Sequence, residues 1–241
     1  MTKRGKPQGA SGAVSMGPGG VVFHQIDFPA DKAEREDLVA RLFVKAFEEW
    51  VASESEPSLK PFVDLKQNPE NDIDFTVTTS AGVKLLELVE FAPLQDHGPT
   101  FSQAPASLHP REKARLAFEV IQGKSAHQGG DDRLLLVFCT EHAFWLDPTT
   151  IERLRRRLAA EPPRFDRVYY VSLHDLGSAS VSEVYPGTPH HWFGEWTDEQ
   201  LDRNRVIMPH PRDFTGTVAI PPRTYTVTIG PDRSKEPKAD S

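Results

Sequence analysis

The residues with the most chemical potential lie between Asp72 and Glu90. Asn71-Asp72-Ile73-Asp74 leads into Phe75-Thr76-Val77-Thr78-Thr79, and Ser80-Ala81-Gly82 separates this run from Val83-Lys84-Leu85-Leu86-Glu87-Leu88-Val89-Glu90-Phe91. A carboxylate set in Leu-Leu-Glu-Leu-Val is costly to bury unless a partner, a metal or a proton offsets its charge. Asp74, at the start of the neighbouring apolar run, is the natural companion of Glu87. Two carboxylates from adjacent strands, open at one edge, can hold Mg2+ and leave positions for water and a substrate phosphate. Such an ion can generate hydroxide and neutralise charge building on a phosphodiester. The alternative is an ion pair between Glu87 and an Arg or Lys of a covering helix, because structural pairs bury carboxylates too.

The flanking sequence indicates how these residues would be held. Ser80-Ala81-Gly82 suits a tight turn with Gly82 taking a positive φ, so the two runs should pair as antiparallel strands. The second is apolar on both faces apart from Lys84, Glu87 and Glu90, as expected for a strand in the middle of a covered sheet. Strand alternation sends Lys84 and Glu90 to the face opposite Glu87. Upstream, Pro29 and Asp31 open a helix reaching about Ala52, with Leu38, Val39, Leu42, Phe43, Ala46, Phe47 and Trp50 as its buried stripe. Glu36 borders that stripe, either at its exposed margin or aimed into a site at the helix end.

Downstream, the long Pro-containing stretch from 93 to 108 reads as a functional or mobile loop. A helix over about 110–124 begins at Pro110. A buried strand over 133–140, a helix over 149–160 and a further buried strand over 167–173 follow. The expected fold is therefore α/β, a mixed central sheet flanked by helices. Residues 21–175 form the core of this reading, and Val21–Phe28 is a candidate strand within it. Residues 1–20 read as a disordered arm, 176–230 as an extension packed on the core, and 231–241 as a flexible tail. The connection containing Pro57, Pro61 and Pro69 reads as polar loop.

This arrangement resembles the PD-(D/E)XK nuclease superfamily, the restriction-endonuclease-like fold, over about Asp31 to Leu173. That core runs helix, three strands, helix, strand, with an acid opening the second strand and Glu-x-Lys in the third. Asp74-Phe75 matches the acid, and Glu87-Leu88-Val89-Glu90 resembles divergent forms of the Glu-x-Lys strand. Glu36 matches the carboxylate that the superfamily's first helix often supplies. One of the three strands has no clean counterpart, since Val21–Phe28 fits the core poorly. The resemblance implies metal-dependent hydrolysis of DNA or RNA with Mg2+ as cofactor. Asp74 and Glu87 would be ligands, supported by Glu36 or Asp72. Val89 stands where the family has Lys, and losing one preorganised charge stabiliser slows such a reaction by about 100- to 1,000-fold. Lys113 or Lys124, on one stripe of the 110–124 helix, could supply the missing cation, with Lys84 less well directed. The rival reading is a non-catalytic binding or regulatory protein on the same fold.

Composition narrows the setting. The chain carries 28 basic and 35 acidic residues, a formal net charge of −7, which runs against the basic surface expected of a general nucleic-acid binder. Charge is uneven, acidic from Glu48 to Asp72 and basic from Arg153 to Arg167. An acidic pocket beside a basic rim, or two ordinary solvated surfaces, would produce this pattern. Cys139 is the one cysteine, so no internal disulfide forms. The basic, Gly- and Ser-rich start does not resemble a secretory signal, no apolar run is long enough for a membrane span, and the expected location is the cytoplasm. Gly123-Lys124-Ser125 ends a helix and lacks the earlier Gly of a phosphate loop. Gly17-Pro18-Gly19-Gly20 precedes its strand, the wrong order for a dinucleotide site. Cys139 and His142 lack the second ligand pair of a zinc site. His190-His191-Trp192 reads as an aromatic turn packed on the domain, with substrate contact as the alternative.

Overall fold

The computed structural model describes residues 12–17, 20–53, 62–69, 73–79, 82–93, 108–187, 195–204, 215–220 and 223–228. Its centre is a six-stranded mixed sheet in the order β3-β4-β5-β6-β7-β8. These strands are β3 (Val63–Gln67), β4 (Phe75–Thr79), β5 (Gly82–Glu90), β6 (Gly130–Phe138), β7 (Phe165–Leu173) and β8 (Ala179–Tyr185). The β3–β4 and β4–β5 pairs are antiparallel, β5–β6 and β6–β7 parallel, and β7–β8 antiparallel. Helix α1 (Lys32–Ser53) packs on one face, and α2 (Pro110–Gln128) and α3 (Pro148–Ala160) on the other. The expected α/β mixed sheet with flanking helices is therefore what forms. From α1 to β6 the order is helix, three strands, helix, strand, consistent with a restriction-endonuclease-like core.

Alternation along the strands builds two apolar layers. On β6, Leu134, Leu136 and Phe138 join the layer under α1, while Leu135 and Val137 join the layer under α2 and α3. On β5, Leu86 and Leu88 face α1, whereas Phe91 just beyond the strand belongs to the other layer. This two-sided burial explains the continuous apolar runs. It also assigns Glu87 to the α2 face. In α1, Val39, Leu42, Phe43, Ala46 and Phe47 are buried as the helical spacing requires.

Strand β3 is the core strand that had no counterpart in the sequence reading, where it lay inside the supposed polar connection. It is an edge strand whose residues are mostly exposed, so it has no apolar pattern to find, and Pro61 and Pro69 bracket it. Phe62, just before it, is buried with its ring 4.3 Å from that of Phe47 and anchors the edge to α1. Strand β8, beyond residue 175, completes the sheet beside β7. Val21–Phe28 lies outside this sheet. Gly20–Gln25 forms β2, paired antiparallel with β1 (Gly12–Gly17), so part of the presumed arm is a hairpin. Glycine and serine around Val14 and Met16 concealed that alternation. A short α4 (Asp198–Arg203) and a second hairpin of β9 (Thr215–Ile220) and β10 (Arg223–Thr228) follow within the expected extension. The segments 94–107, 188–194 and 231–241 lie outside the described residues, and so do the calls made on them.

Candidate active site

The turn after β4 puts Gly82 at φ 111°, the left-handed conformation expected of it. The resulting register pairs Phe75 with Leu86, and one further step sets Asp74 across from Glu87. Asp74 Oδ2 accepts a hydrogen bond from the Leu88 backbone N–H at 2.7 Å. That bond fixes the carboxylate beside the strand and leaves Asp74's other oxygen available.

Glu87 is 2% exposed, and its charge is met from the covering helix. The Lys124 ammonium donates to Glu87 Oε1 and, at 2.8 Å, to Gln128 Oε1 one helical turn on. Among the described residues, Glu87 Oε2 is buried with no hydrogen-bond partner. A buried acceptor left unmatched beside a matched one marks a place where a further donor or a cation would be favourable.

Of the two lysines proposed to replace the motif Lys, only Lys124 reaches Glu87. Lys113 sits eleven residues earlier, about 16 Å along the helix at 1.5 Å per residue. Its ammonium bonds the Trp145 carbonyl at 2.6 Å and lies 3.3 Å from Asp147, a carboxylate with no exposed surface. Asp147 also caps α3, accepting from the Thr149 and Thr150 backbone N–H groups and from both hydroxyls. Burial pushes the Asp147 carboxyl up, but those hydrogen bonds and the Lys113 ammonium outweigh it and hold it below its ordinary value. Lys113 thus stabilises the start of α3 and takes no part at Glu87. Lys84 pairs with Asp166 at 2.8 Å, on the face opposite Glu87 as alternation requires. Glu90 faces α1, accepting from Thr140 Oγ1 and lying 3.8 Å from Arg35.

From the first turns of α1, Glu36 is buried close enough to Asp74 to feel its charge. Burial first, then Asp74, raises the Glu36 carboxyl above its ordinary value, and Lys32 at 3.3 Å only partly counters them. Lys32 was not foreseen from sequence, because a lysine in the first turn of an amphipathic helix carries no signal of its own. Partial burial acts to lower its ammonium, but Glu36, then Asp74 and Glu87, raise it above the usual value. Glu36, Asp74 and Glu87 therefore share one electrostatic neighbourhood, with Lys124 on the α2 side and Lys32 on the α1 side. Asp72 lies outside the described residues. Among the described residues, no three His, Cys, Asp or Glu side chains form a ready-made metal cage.

Other candidates carry less chemistry. Cys139 is buried 3.3 Å from the Tyr170 hydroxyl, and burial pushes its thiol up to about 12, so it is neither nucleophile nor ligand at neutral pH. His190-His191-Trp192 is outside the described residues. No described helix is long and apolar enough to cross a membrane.

No protein-family model matches the chain. No curated protein matches it either. Among solved structures, that of Pyrococcus furiosus SfsA in complex with Ca2+ is similar at a TM-score of 0.25 and 16% sequence identity. The match covers 60% of this chain and 63% of that one, less than two thirds of its length. Similarity at that level identifies neither a family nor an activity.

Proposed function

We propose that Asp74, Glu87 and Lys124 form the centre of a divalent-metal-dependent phosphodiester hydrolase acting on nucleic acid. The observation that carries this reading is the Lys124 ammonium on Glu87 Oε1, where a helix restores the cation that Val89 removes from the strand.

The residues fit a single hard cation held by few protein ligands. Glu87 Oε2 is a buried oxygen without a partner, Asp74 has an oxygen not used by Leu88, and Glu36 already competes electrostatically with Asp74. Mg2+ is commonly bound by one or two carboxylates together with water and substrate phosphate, so a complete protein cage is not required. When bound, the ion would supply an activated water and neutralise charge at phosphorus. The chain's own residues do the rest. Asp74 and Glu87 would hold the ion, with Glu36 adding negative charge nearby. Gln128 and Glu87 together orient Lys124. As water adds to phosphorus and the ester oxygen leaves, negative charge builds on the non-bridging oxygens, and the Lys124 ammonium is placed to offset it.

Cleavage of a DNA and RNA panel in Mg2+ or Mn2+ tests this reading. Wild type should cut at least one substrate. Glu87→Gln should abolish cleavage, and Lys124→Met should slow it by about 100- to 1,000-fold. Absence of metal-dependent cleavage across the panel would contradict it.

A second reading is favoured by the same contact. A Lys–Glu pair under a helix, with no three-ligand cage among the described residues, is also what a non-catalytic binding or regulatory protein on this fold would retain. Metal-independent nucleic-acid binding unaffected by Glu87→Gln would support it.

A further inference from the structure

Between the start of α2, α3 and the start of α4, a cavity of about 620 Å3 is lined by Arg111, Arg153, Arg156, Arg157, Ala160 and Asp198. Arg153, Arg156 and Arg157 stand at i, i+3 and i+4 on α3 and so share a side of the helix. Leu154 and Leu158 turn into the core. Arg111 reaches in from the first turn of α2, and Asp198 opens α4.

Three of the four guanidinium groups are held before any ligand arrives. Arg153, only 5% exposed, donates to Asp202 at 2.6 Å and to the Asp198 carbonyl at 3.0 Å. Arg111 lies 2.5 Å from the same Asp202, and Arg156 bonds Glu152 at 3.0 Å. Arg157 is exposed, and its guanidinium has no hydrogen-bond or ion-pair partner among the described residues. Four guanidinium groups thus gather around one cavity in a chain whose net charge is −7. The carboxylates among them hold the Arg111, Arg153 and Arg156 side chains in place, while Arg157 remains open. A guanidinium fork matches phosphate oxygens two at a time. The volume falls in the range of small-ligand sites, well above what one phosphate fills. Among the described residues its lining is five charged side chains and Ala160, so guanidinium charge on apolar stems is its means of recognition.

We propose that this cavity binds a small anion carrying more than one phosphate group, at a site separate from Glu87. The test is calorimetric titration of the full chain with inorganic tripolyphosphate at physiological salt, with citrate and a short single-stranded oligonucleotide as parallel arms. Saturable binding of one tripolyphosphate is expected. Arg157→Gln should weaken it about tenfold, the worth of one charge-assisted hydrogen-bonding group. Thermal unfolding of this variant should match wild type, because Arg157 is exposed and unpaired. Glu87→Gln should bind as wild type does, which separates this site from the proposed hydrolytic one. Four results would each overturn the proposal: no saturable tripolyphosphate binding, equal affinity in Arg157→Gln, equal affinity for citrate, or loss of binding in Glu87→Gln. Binding of the oligonucleotide without tripolyphosphate would overturn it in favour of a nucleic-acid contact.

Discussion

Replacing Lys124 by Met isolates the contact on which the site depends. Methionine keeps the length and apolar stem of the side chain and removes the charge. It leaves Glu87, 2% exposed, with neither oxygen bonded, since Oε2 already lacks a partner. Breaking a buried ion pair from one side destabilises by about 3–5 kcal/mol. The Lys124 side chain is 29% exposed, so water softens the loss and the lower figure applies, about 3 kcal/mol. For a chain of this size, that corresponds to a fall in Tm on the order of 10 °C. Urea denaturation of wild type, Lys124→Met, Glu87→Gln and the double variant closes the cycle. The double variant should recover most of the loss, with a coupling of about 2 kcal/mol. A Lys124→Met protein within about 0.5 kcal/mol of wild type, or a cycle with no coupling, would refute the pairing and the site built on it.

Two further perturbations probe the surroundings. Lys113→Met should destabilise by about 3 kcal/mol, because it removes a counter-charge from buried Asp147 and leaves only that residue's hydrogen bonds to Thr149 and Thr150. The loss should appear in urea denaturation while Mn2+ affinity stays at the wild-type value, and a weakened Mn2+ site would contradict the structural role given to Lys113. Glu36→Gln tests the sign of a titration. The Glu36 carboxyl is raised in the fold, so its contribution to stability is fully present below the ordinary glutamate value of about 4.3 and is lost as pH rises through its folded value. Glutamine has no proton to lose. Its stability relative to wild type should therefore increase from acid to neutral pH, and a difference independent of pH would contradict the raised value.

The carboxylate pair and its supports were legible where local rules are strong. Gly82 at a tight turn fixes the β4–β5 hairpin, and the hairpin register sets Asp74 opposite Glu87. Helical spacing found the α1 stripe, and two-sided apolar runs found β5, β6 and β7. The missed elements have physical reasons. Strand β3 is an edge strand with exposed side chains, and β8 alternates Val181 and Val184 around a register shift, so neither shows a sustained pattern. Which lysine serves Glu87 was not decidable from spacing, since Lys113 and Lys124 share a helical stripe. The choice depends on how α2 runs along the sheet, with Lys113 meeting Asp147 and Lys124 meeting Glu87. Lys32 was invisible because its relevance comes from where α1 begins, over the Asp74 end of the hairpin.

The basic run from Arg153 to Arg167 also changed meaning. It was expected either as a rim to an acidic pocket or as solvated surface. Arg153 is buried, Arg155 donates twice to the Glu183 carbonyl, and Arg167 pairs with Glu183 at 2.7 Å. Arg153 and Arg155 therefore join α3 to α4 and β8, Arg167 joins β7 to β8, and Arg157 is left exposed at the cavity.

The central claim is that Asp74 and Glu87 hold a divalent cation beside Lys124, and it can be tested without knowing the substrate. Mn2+ titration of the full chain, followed by electron paramagnetic resonance, reads the site directly. Wild type should bind one ion, and Asp74→Asn and Glu87→Gln should each weaken it at least about tenfold, the smallest loss expected of a group that matters to a metal site. A wild-type protein that binds no Mn2+, or binds it equally well without either carboxylate, would contradict the account.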